Sequence, residues 1–521
     1  MRAIDYFDKS AGANPDRTAI LDGERSYSYR ELRAISERIA RALAANGLRG
    51  EQRAAIYSHN HAGVLFCTLG ILRAGGVWVP INFRSAAQAN IEYLNYSETA
   101  WLFYDSHLKQ NVPQLKASVP SLRQMICIDA EDGENPSLEK FMWQGADAKG
   151  CDWADPYGNL DRLMGLVPTG GTTGPAKGVR VTNLAWGTMT EMACHYWKSE
   201  EPAVCLCTAP LSHAAGVVAF TIFALGGTNV VMPGFDARQV LQNIERYKVT
   251  HLFLPPTAFY ALLACSEVRR FNYSSLRVFL LAGSPVSPDK LKQGIEIFGP
   301  CVCQSYGQTE APMLVTFLDS RTLAAAAAGD HPERLRSCGK PTSAVRVAIM
   351  DDAGQILPPH QIGEIVARGT LVTAGYHNMP DATAEIRTHN WHHTGDVGYM
   401  DEDGYVYIVD RKKDMIITGG FNVFCAEVEA GIMALPQVYE CAVIGVPDEH
   451  WGEAVKAIVV LRQGETLNEA DVIAHCKANL GGMKSPKSVE FWTELPKTAA
   501  GKLDRKTLRK PYWAGVDRQV H

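Results

Sequence analysis

The stretch Thr169-Gly-Gly-Thr-Thr-Gly-Pro-Ala-Lys-Gly178 governs the interpretation of the whole chain. It follows an apolar run that ends at Val167 and precedes Val179-Arg-Val181, and both flanks are typical of strands. Glycines let backbone N–H groups crowd toward an anion, threonines add hydroxyl donors, and a lysine neutralises phosphate oxygens. We therefore predict a phosphate-binding loop between two strands, with the candidate residues Thr169, Gly170, Gly171, Thr172, Thr173, Gly174 and Lys177.

Two alternatives exist for this stretch. A Walker-type loop needs Gly before its lysine and Ser or Thr after it at the start of a helix, whereas Ala176 and Gly178 flank Lys177. A flexible glycine turn on the surface is the other alternative. The residues themselves exclude the first alternative, and the second is disfavoured by the further motifs along the chain.

Length and composition bound the class of protein. A chain of 521 residues is too long for one hydrophobic core, so we expect two to four structural units. Hydrophobic residues make up 46% and charged residues 21%, as in ordinary globular proteins. The net charge of −5 does not show the excess of positive charge that is typical of proteins that bind nucleic acid. The most apolar long segment, 214–232, is interrupted by glycines and polar residues and falls short of the ~18 residues that a membrane span needs.

Cysteines and the termini give the expected compartment. The 13 cysteines are odd in number and lie mostly in apolar runs, so we expect reduced core residues. No Cys-x-x-Cys pair is present, which argues against structural zinc. The first residues carry acidic side chains where a signal peptide would need an apolar core. We expect a cytoplasmic protein, and a homodimer is left open.

Alternating elements predict an α/β fold. Between 28 and 81 the order is helix, strand, helix, strand, and the alternation returns between 203 and 303, which indicates two doubly wound layers. From about 345 to 410, short strands broken by Gly, Asp and Pro indicate a β-rich subdomain. The charged run Asp410-Arg-Lys-Lys-Asp414 suits a hinge. The expected organisation is a large domain over 1–410, a hinge at 411–413 and a small mobile α+β domain over 414–521.

Two further motifs follow predicted strands in the large domain. Leu281-Ala-Gly-Ser-Pro285 ends a strand in small residues, and ligands of parallel sheets bind at the carboxyl edge. Ser305-Tyr-Gly-Gln-Thr-Glu310 follows a predicted strand at 301–303 and brings an aromatic ring, a glycine, a hydroxyl and a carboxylate together. The carboxylate is a ligand type that Mg²⁺ accepts. Both motifs therefore suit one ligand site.

Three charged candidates lie near the predicted hinge and the C-terminus. Thr394-Gly-Asp396 offers a carboxylate that can accept both hydroxyls of a ribose, and Arg411 offers a guanidinium to bridge toward them. Pro496-Lys-Thr-Ala-Ala-Gly-Lys502 places a lysine in a glycine-containing stretch. Lysines in such stretches are usually solvated, so the residues alone leave the role of Lys502 open.

In order and spacing, these motifs resemble the adenylate-forming superfamily, which comprises acyl- and aryl-CoA synthetases, peptide-synthetase adenylation domains and beetle luciferases. The resemblance covers most of the chain, although the family usually has Pro where Ala176 precedes the lysine. For the nucleoside, it implies that Gly283 and Ser284 form the floor of an adenine pocket, that Tyr306 stacks on adenine beside Gly307 and Gln308, and that Asp396 and Arg411 hold the ribose. For the phosphates, it implies that Thr309 holds the α-phosphate and the acid's carboxylate and that Glu310 binds Mg²⁺. It also implies that Lys413 is the hinge and that Lys502 is the catalytic lysine.

The branch of the superfamily is indicated by three other places. In Ala209-Pro-Leu-Ser-His213 a histidine stands where the resemblance puts the gate of the acid pocket, and no Asp follows that could bind an α-ammonium group. Free amino acids are therefore poor substrates. The glycine pair Gly419 and Gly420 and the indole of Trp451 resemble the pantetheine tunnel of acyl-CoA synthetases, although Cys425 stands where the family commonly has Pro. A luciferase would share nearly all of these residues.

The predicted function is an ATP-dependent carboxylic acid–CoA ligase that works through an acyl-adenylate, with ATP, Mg²⁺ and coenzyme A. Enzymes that load an acyl carrier protein are the near alternative, and a nucleotide-binding sensor without turnover is the distant one. Small residues beside His213, namely Ala214, Ala215 and Gly216, suggest a roomy apolar pocket for a fatty, alicyclic or aromatic acid. Ser305 is the polar position expected on the pocket side.

Overall fold

The computed structural model describes residues 1–145, 159–169, 177–497 and 503–513. Its strands are, in chain order, β1 (Thr18–Asp22), β2 (Arg25–Ser28), β3 (Arg53–Tyr57), β4 (Val77–Ile81), β5 (Trp101–Tyr104), β6 (Gln124–Cys127), β7 (Leu163–Pro168), β8 (Gly178–Thr182), β9 (Val204–Cys207), β10 (Thr228–Val231), β11 (His251–Leu254), β12 (Val278–Leu281), β13 (Val302–Gln308), β14 (Ala311–Leu318), β15 (Lys340–Pro341), β16 (Val345–Met350), β17 (Gly363–Gly369), β18 (His392–Met400), β19 (Val406–Arg411), β20 (Ile416–Thr418), β21 (Phe421–Val423), β22 (Val438–Asp448), β23 (Gly452–Leu461) and β24 (Ser488–Phe491).

The α-helices alternate with these strands. They are α1 (Ala3–Ala13), α2 (Tyr29–Ala45), α3 (Ala62–Arg73), α4 (Ala87–Tyr96), α5 (Val112–Ser118), α6 (Leu138–Trp143), α7 (Asn183–Tyr196), α8 (Ala214–Ala224), α9 (Ala237–Arg246), α10 (Pro256–Ala264), α11 (Pro288–Phe298), α12 (Ser320–Ala327), α13 (Pro380–Glu385), α14 (Cys425–Met433), α15 (Glu469–Leu480) and α16 (Arg505–Arg509).

Two large sheets carry residues 18–341. The six-stranded sheet has the order β6-β5-β3-β4-β7-β8 and is parallel except for the β7–β8 pair. The nine-stranded sheet has the order β15-β14-β13-β12-β11-β9-β10-β1-β2 and is parallel from β13 to β1. Helices connect the parallel strands, as such strands require. The predicted α/β fold with two doubly wound layers is confirmed.

Two smaller sheets follow. β16, β17, β18 and β19 form an antiparallel sheet in that order, and β20 to β24 form a five-stranded sheet. The helices α14 and α15 pack on the five-stranded sheet. Their common apolar core includes Val428, Val443 and Val472, and it is a cluster separate from those of the large sheets. The division into domains at 410–414 stays a prediction, and these separate cores are its physical basis.

Local sequence signals explain where two helices begin. The Ser28 hydroxyl accepts a hydrogen bond from the Glu31 N–H, and the Glu31 carboxylate accepts one from the Ser28 N–H at 2.8 Å, so α2 begins with a capping box. Ser287 stands at the same place before α11 but makes no side-chain capping bond. Pro288, at the first position of α11, has its backbone preset for a helix and starts α11 instead.

The described cysteines are all free, as the sequence predicted. Cys67 in α3 and Cys303 in β13 are buried, and burial raises the pKa of both thiols well above the ordinary value. Cys425, the first residue of α14, is also buried, and its thiol donates to the Asp414 carbonyl oxygen at 3.0 Å. Burial is the main cause that raises the pKa of Cys425 as well. These thiols stay protonated at neutral pH.

The apolar segment 214–232 forms the buried helix α8 followed by β10. Within the described ranges, none of the helices combines the length and apolar character needed to cross a membrane.

Candidate active site

The candidate site lies where the nine-stranded sheet, Lys177 at the start of β8, and the β18–β19 hairpin come together. β12 and β13 are parallel neighbours, with Leu281 opposite Gln304, so both of their motifs lie at the carboxyl edge of one sheet. Gly283 and Ser284 follow β12 and are exposed, and Gly283 has φ +99°, a conformation that favours glycine. The structure therefore brings these two residues beside the 305–310 motif, as the sequence predicted.

The 305–310 motif forms the end of β13 and a tight hairpin rather than a loop after a strand. β13 continues to Gln308 because it pairs with the antiparallel β14, where Gln308 lies opposite Ala311. The expected strand end at 303 was therefore wrong. Thr309 and Glu310 form the turn, and a Cβ on Gly307 would lie 2.6 Å from the Met313 backbone nitrogen. Only glycine fits at that position.

Asp396 on β18 is a buried carboxylate with a fixed orientation. Its Oδ2 accepts a hydrogen bond from the Tyr306 hydroxyl at 2.6 Å and one from the Gln308 amide at 3.4 Å. Its Oδ1 lies 3.4 Å from Nε of Arg411, the last residue of β19. Asp396 is 6% exposed and Tyr306 is 9% exposed. The predicted residues Tyr306, Gln308, Asp396 and Arg411 thus form one cluster.

His392 is a member of this cluster that the sequence analysis missed. Its Nε2 lies 2.9 Å from the Gln308 amide oxygen, and its Nδ1 is buried with no hydrogen-bond partner among the described residues. Burial, and then the nearby charge of Arg387, lowers the pKa of His392 to about 4. The ring is therefore neutral, and its Nε2–H donates to Gln308. That bond orients the Gln308 amide toward Asp396.

The pKa of His392 predicts an acid sensitivity of the fold. Between pH 6.5 and 4 the unfolded chain protonates this histidine while the folded protein does not, so stability falls as the pH falls, by up to about 3 kcal/mol at pH 4. His392→Gln keeps an N–H donor and should flatten this part of the profile. The measurement is urea unfolding of both proteins between pH 7 and 4. His360→Gln, at an exposed histidine, is the matched control and should follow the parent. Parallel profiles for the parent and His392→Gln would contradict the assignment.

Glu310, Tyr376 and Lys177 form a second contact chain. The Tyr376 hydroxyl donates to Glu310 Oε1 at 2.6 Å, and Lys177 Nζ lies 4.8 Å from the centre of the Tyr376 ring. Burial and the charge of Glu310 raise the pKa of Tyr376 above its usual value, so its hydroxyl stays a donor. Tyr376 was missed by the sequence analysis. The pair Gly375-Tyr376 after a strand is the signal that could have marked it.

Backbone hydrogen bonds hold the Tyr376 segment between two sheets. The Thr373 N–H donates to the Glu310 carbonyl oxygen at 2.9 Å, and the Arg180 N–H on β8 donates to the Gly375 carbonyl oxygen at 2.8 Å. We call residues 373–377 the strap. It connects the hairpin that carries Glu310 with the strand that follows Lys177. This connection explains how residues far apart in sequence come into contact.

The predicted phosphate loop is described only at its two ends. The Thr169 N–H donates to the Lys177 carbonyl oxygen at 2.9 Å, and the two flanking strands β7 and β8 pair with each other, as expected for the flanks. Gly170, Gly171, Thr172, Thr173 and Gly174 lie outside the described residues.

Two places could hold a divalent cation. Glu310 is half-buried and the Tyr376 hydroxyl bonds its Oε1, which orients one carboxylate of the kind that Mg²⁺ takes beside phosphates and water. His59, Asp105 and His107 also offer ligand atoms that lie within 4.8 Å of one another, at the carboxyl edge of the six-stranded sheet. Asp105 Oδ2 already accepts from the His59 backbone and ring. Glu310 therefore fits the predicted magnesium ligand better.

The residues predicted for the acid pocket lie at β9 and β13 of the same sheet. His213 is the residue before α8, and its Nδ1 lies 3.0 Å from the Ser212 hydroxyl. The Ser305 hydroxyl is buried and has no hydrogen-bond partner among the described residues. A Cβ on Gly216 would lie 2.1 Å from the Leu211 carbonyl oxygen. The approach of this backbone oxygen requires a residue without a side chain at 216. Ala215 is buried in the apolar core, whereas Ala214 is half-buried, so Ala214 is the small residue that best supports a roomy pocket.

The candidates beyond β19 fall into three groups. Lys413 lies in the turn between β19 and β20. Gly419 and Gly420 have φ +56° and +80°. A Cβ on Gly419 would lie 2.6 Å from the indole of Trp451, so these two residues are in contact, whereas a Cβ on Gly420 would have no described atom within 4 Å. Lys502 lies outside the described residues. Its described neighbours Lys497 and Leu503 pair as an antiparallel bridge.

The chain is similar to known protein families and to proteins of known activity. Residues 7–377 match the AMP-binding enzyme family and residues 427–502 match the AMP-binding enzyme C-terminal domain. A feruloyl-CoA synthase from Amycolatopsis sp is 36% identical over 97% of this chain and 98% of its own. A medium/long-chain-fatty-acid–CoA ligase, FadD8 of Mycobacterium tuberculosis, is 42% identical over 69% of this chain, and the match spans 63% of that relative.

Solved structures of related enzymes share the fold of this chain. The ATP-bound MatB of Rhodopseudomonas palustris superimposes with a TM-score of 0.87 at 29% identity, covering 98% of this chain and 99% of its own. Proteins named as CoA ligases match the chain over most of its length. The chain is therefore, like them, an adenylate-forming CoA ligase, which is an AMP-forming acid–thiol ligase. The chain therefore belongs to the AMP-binding enzymes of the adenylate-forming superfamily.

Proposed function

We propose that this chain joins a carboxylic acid to coenzyme A in two half-reactions at the site described above. In the first, the acid's carboxylate oxygen attacks the α-phosphorus of ATP and pyrophosphate leaves, which gives an acyl-adenylate. In the second, the CoA thiolate attacks the acyl carbonyl carbon and AMP leaves, which gives the thioester. The observation that carries this proposal is the pair of contact chains, Tyr306–Asp396–Arg411 and Lys177–Tyr376–Glu310, that flank one sheet edge.

The first contact chain suits the nucleoside half of ATP. Asp396 is a buried acceptor that three donors orient, and the two hydroxyls of a ribose are donors that a carboxylate accepts. Gly283 and Ser284 expose backbone beside Tyr306 and suit a flat base. In this proposal Gly307 and Gln308 complete the nucleoside site.

The second contact chain suits the phosphates. Lys177 closes the predicted phosphate loop, and Thr309 and Glu310 follow at the hairpin turn. Mg²⁺ on Glu310 would neutralise the phosphate charge that builds up as pyrophosphate departs. Tyr376 holds the Glu310 carboxylate in one orientation, and Lys177 is kept over its ring. Lys502 would add a second positive charge for the first half-reaction only.

The small domain is proposed to turn about Lys413 between the two half-reactions. Lys413→Pro fixes one backbone torsion of the turn and restricts Lys412 as well. We expect normal acyl-adenylate formation and thioester formation slowed at least tenfold, measured by single-turnover pyrophosphate release and thioester release. Lys412→Pro is a poor control because the Lys412 N–H donates to Gly395, so Lys413→Ala serves instead. Equal loss of both half-reactions in Lys413→Pro would contradict the movement.

The acid is proposed to be a fatty, alicyclic or aromatic one, bound between β9 and β13. Ala214 and the buried Ser305 hydroxyl support an apolar pocket with one polar position. His213 closes the end of this pocket that precedes α8. CoA would approach along Gly419, Gly420 and Trp451, of which Gly419 contacts the indole of the exposed Trp451.

The test is acid-dependent ATP–pyrophosphate exchange with a panel of straight-chain, alicyclic and aromatic acids. We expect exchange with at least one class, followed by thioester formation with free CoA. Thioester formed only with a holo-carrier protein would favour the carrier-loading alternative. Nucleotide binding without exchange on any acid would favour the sensor alternative and contradict the proposal.

A further inference from the structure

A cavity of about 420 Å³ lies between β8 and the segment 374–387. Its wall includes Arg180 of β8, Tyr376 of the strap, Asn378 and Arg387. The cavity shares the Tyr376 side chain with the candidate site, but the guanidinium groups of Arg180 and Arg387 take no part in its two contact chains.

Two arginines of like charge face this cavity. Arg180 is half-buried, and Arg387 is exposed at the edge, where its guanidinium donates to the Thr373 carbonyl oxygen. Burial, and then the charge of Arg180, lowers the pKa of Arg387, so the two guanidinium groups lie within electrostatic reach of each other. Arginine nevertheless stays charged in proteins. Two like charges held together raise the energy of the protein unless something negative joins them.

Among the described residues, no carboxylate forms an ion pair with Arg180 or Arg387. The nearby carboxylate of Glu310 is engaged by the Tyr376 hydroxyl. Glu385 lies close enough to raise the pKa of Tyr376, yet it pairs with neither arginine. By contrast, the nearby Arg53 has its own partner, Glu98, at 3.4 Å. The cavity therefore keeps a positive charge that the described chain does not neutralise.

We propose that this cavity binds a phosphate anion, as a second anion site beside the Thr169–Lys177 loop. Guanidinium groups bind phosphate oxygens through paired hydrogen bonds, and two of them suit an anion with several oxygens. Tyr376 forms a wall of the cavity and also carries Lys177 over its ring, so the two anion sites share one side chain.

The source of the phosphate rests on the proposed function. In that reaction the acyl-adenylate and AMP keep the α-phosphate in the nucleotide site, which leaves two other carriers of phosphate, namely the departing pyrophosphate and coenzyme A with its 3′-phosphate. A site beside the phosphate loop suits pyrophosphate, since it would hold the product after it leaves the α-phosphorus and thereby oppose the reverse reaction.

The test is isothermal titration of pyrophosphate into the full chain saturated with α,β-methylene-ATP, which occupies the nucleotide site. We expect one equivalent of pyrophosphate to bind, with an affinity reduced at least tenfold in Arg180→Gln and in Arg387→Gln. Arg180→Lys, which keeps the charge but loses the paired donors, should fall between. Arg269→Gln is the matched control, because Arg269 is an exposed arginine already paired with Glu296, and it should bind like the parent.

Competition identifies the source. Displacement of pyrophosphate by CoA but not by dephospho-CoA would assign the site to the 3′-phosphate, and displacement by neither would assign it to pyrophosphate. No binding to the saturated protein, or equal binding in the parent and both glutamine variants, would overturn the proposal. Titration needs no acid substrate, so this failure is distinct from absent acid-dependent exchange, which would contradict the proposed function and leave the anion site intact.

Discussion

Acyl-adenylate formation should slow by roughly 10²–10³-fold in Lys502→Ala, the loss typical when a charged donor to the transition state is removed. The reason is that the attacking carboxylate and the α-phosphate are both negative, and the proposed lysine offsets their repulsion as pyrophosphate leaves. Single-turnover release of pyrophosphate, with acid and Mg·ATP saturating, measures this step directly.

The second half-reaction separates a catalytic lysine from a structural one. With synthetic acyl-adenylate and CoA supplied, Lys502→Ala should form thioester within a few-fold of the parent. Lys497→Ala is the matched control, because Lys497 lies just before the same stretch and pairs with Glu440 at 3.1 Å. It should leave both half-reactions near the parent. Equal loss of both half-reactions in Lys502→Ala would mean that the residue supports the fold of the small domain rather than the chemistry.

The KM for ATP should rise about 10–100-fold in Asp396→Ala, since a hydrogen bond to a charged group contributes about 1.5–3 kcal/mol. The variant removes the acceptor proposed for the ribose and also leaves the Tyr306 hydroxyl and Arg411 without their carboxylate. The KM for the acid should change much less. Initial rates of acid-dependent pyrophosphate release, with each substrate varied in turn, give both constants.

A second tyrosine–aspartate pair in the same sheet provides the control. The Tyr407 hydroxyl donates to Asp401 Oδ2 at 3.0 Å, at the other end of the β18–β19 hairpin from Asp396. Asp401→Ala therefore removes a comparable bond without touching the candidate site, and its KM for ATP should match the parent. An unchanged KM for ATP in Asp396→Ala would contradict the proposal that Asp396 binds the ribose.

Much of the fold could be predicted because its signals are local. The two flanks of the Thr169–Gly178 stretch gave β7 and β8, and the capping pair Ser28 and Glu31 gave the start of α2. The end of β13 was predicted wrongly, because Gln308 stays in the strand through its partner Ala311 on β14. A strand's end depends on what pairs with it, and that information lies outside the strand.

In the candidate site, too, local motifs could be predicted and contacts between distant residues could not. Its motif residues were found from sequence and resemblance, and the structure brings Tyr306, Gln308, Asp396 and Arg411 together. Tyr376 was missed because its partner Glu310 lies 66 positions away and the contact depends on how the strap crosses two sheets. The small size of Gly216 has a cause that the sequence pattern does not show, because the Leu211 carbonyl oxygen approaches it.

The buried thiols acquire a meaning once the proposed chemistry is considered. An acyl-adenylate acylates any thiolate it meets, so an enzyme that makes one next to its own cysteines risks modifying itself. Cys303, in the strand that leads to Tyr306, and Cys425, just after the predicted hinge, are shut inside the protein with thiol pKa values raised by burial. Neither offers a nucleophile, so coenzyme A brings the acyl acceptor without competition from these side chains.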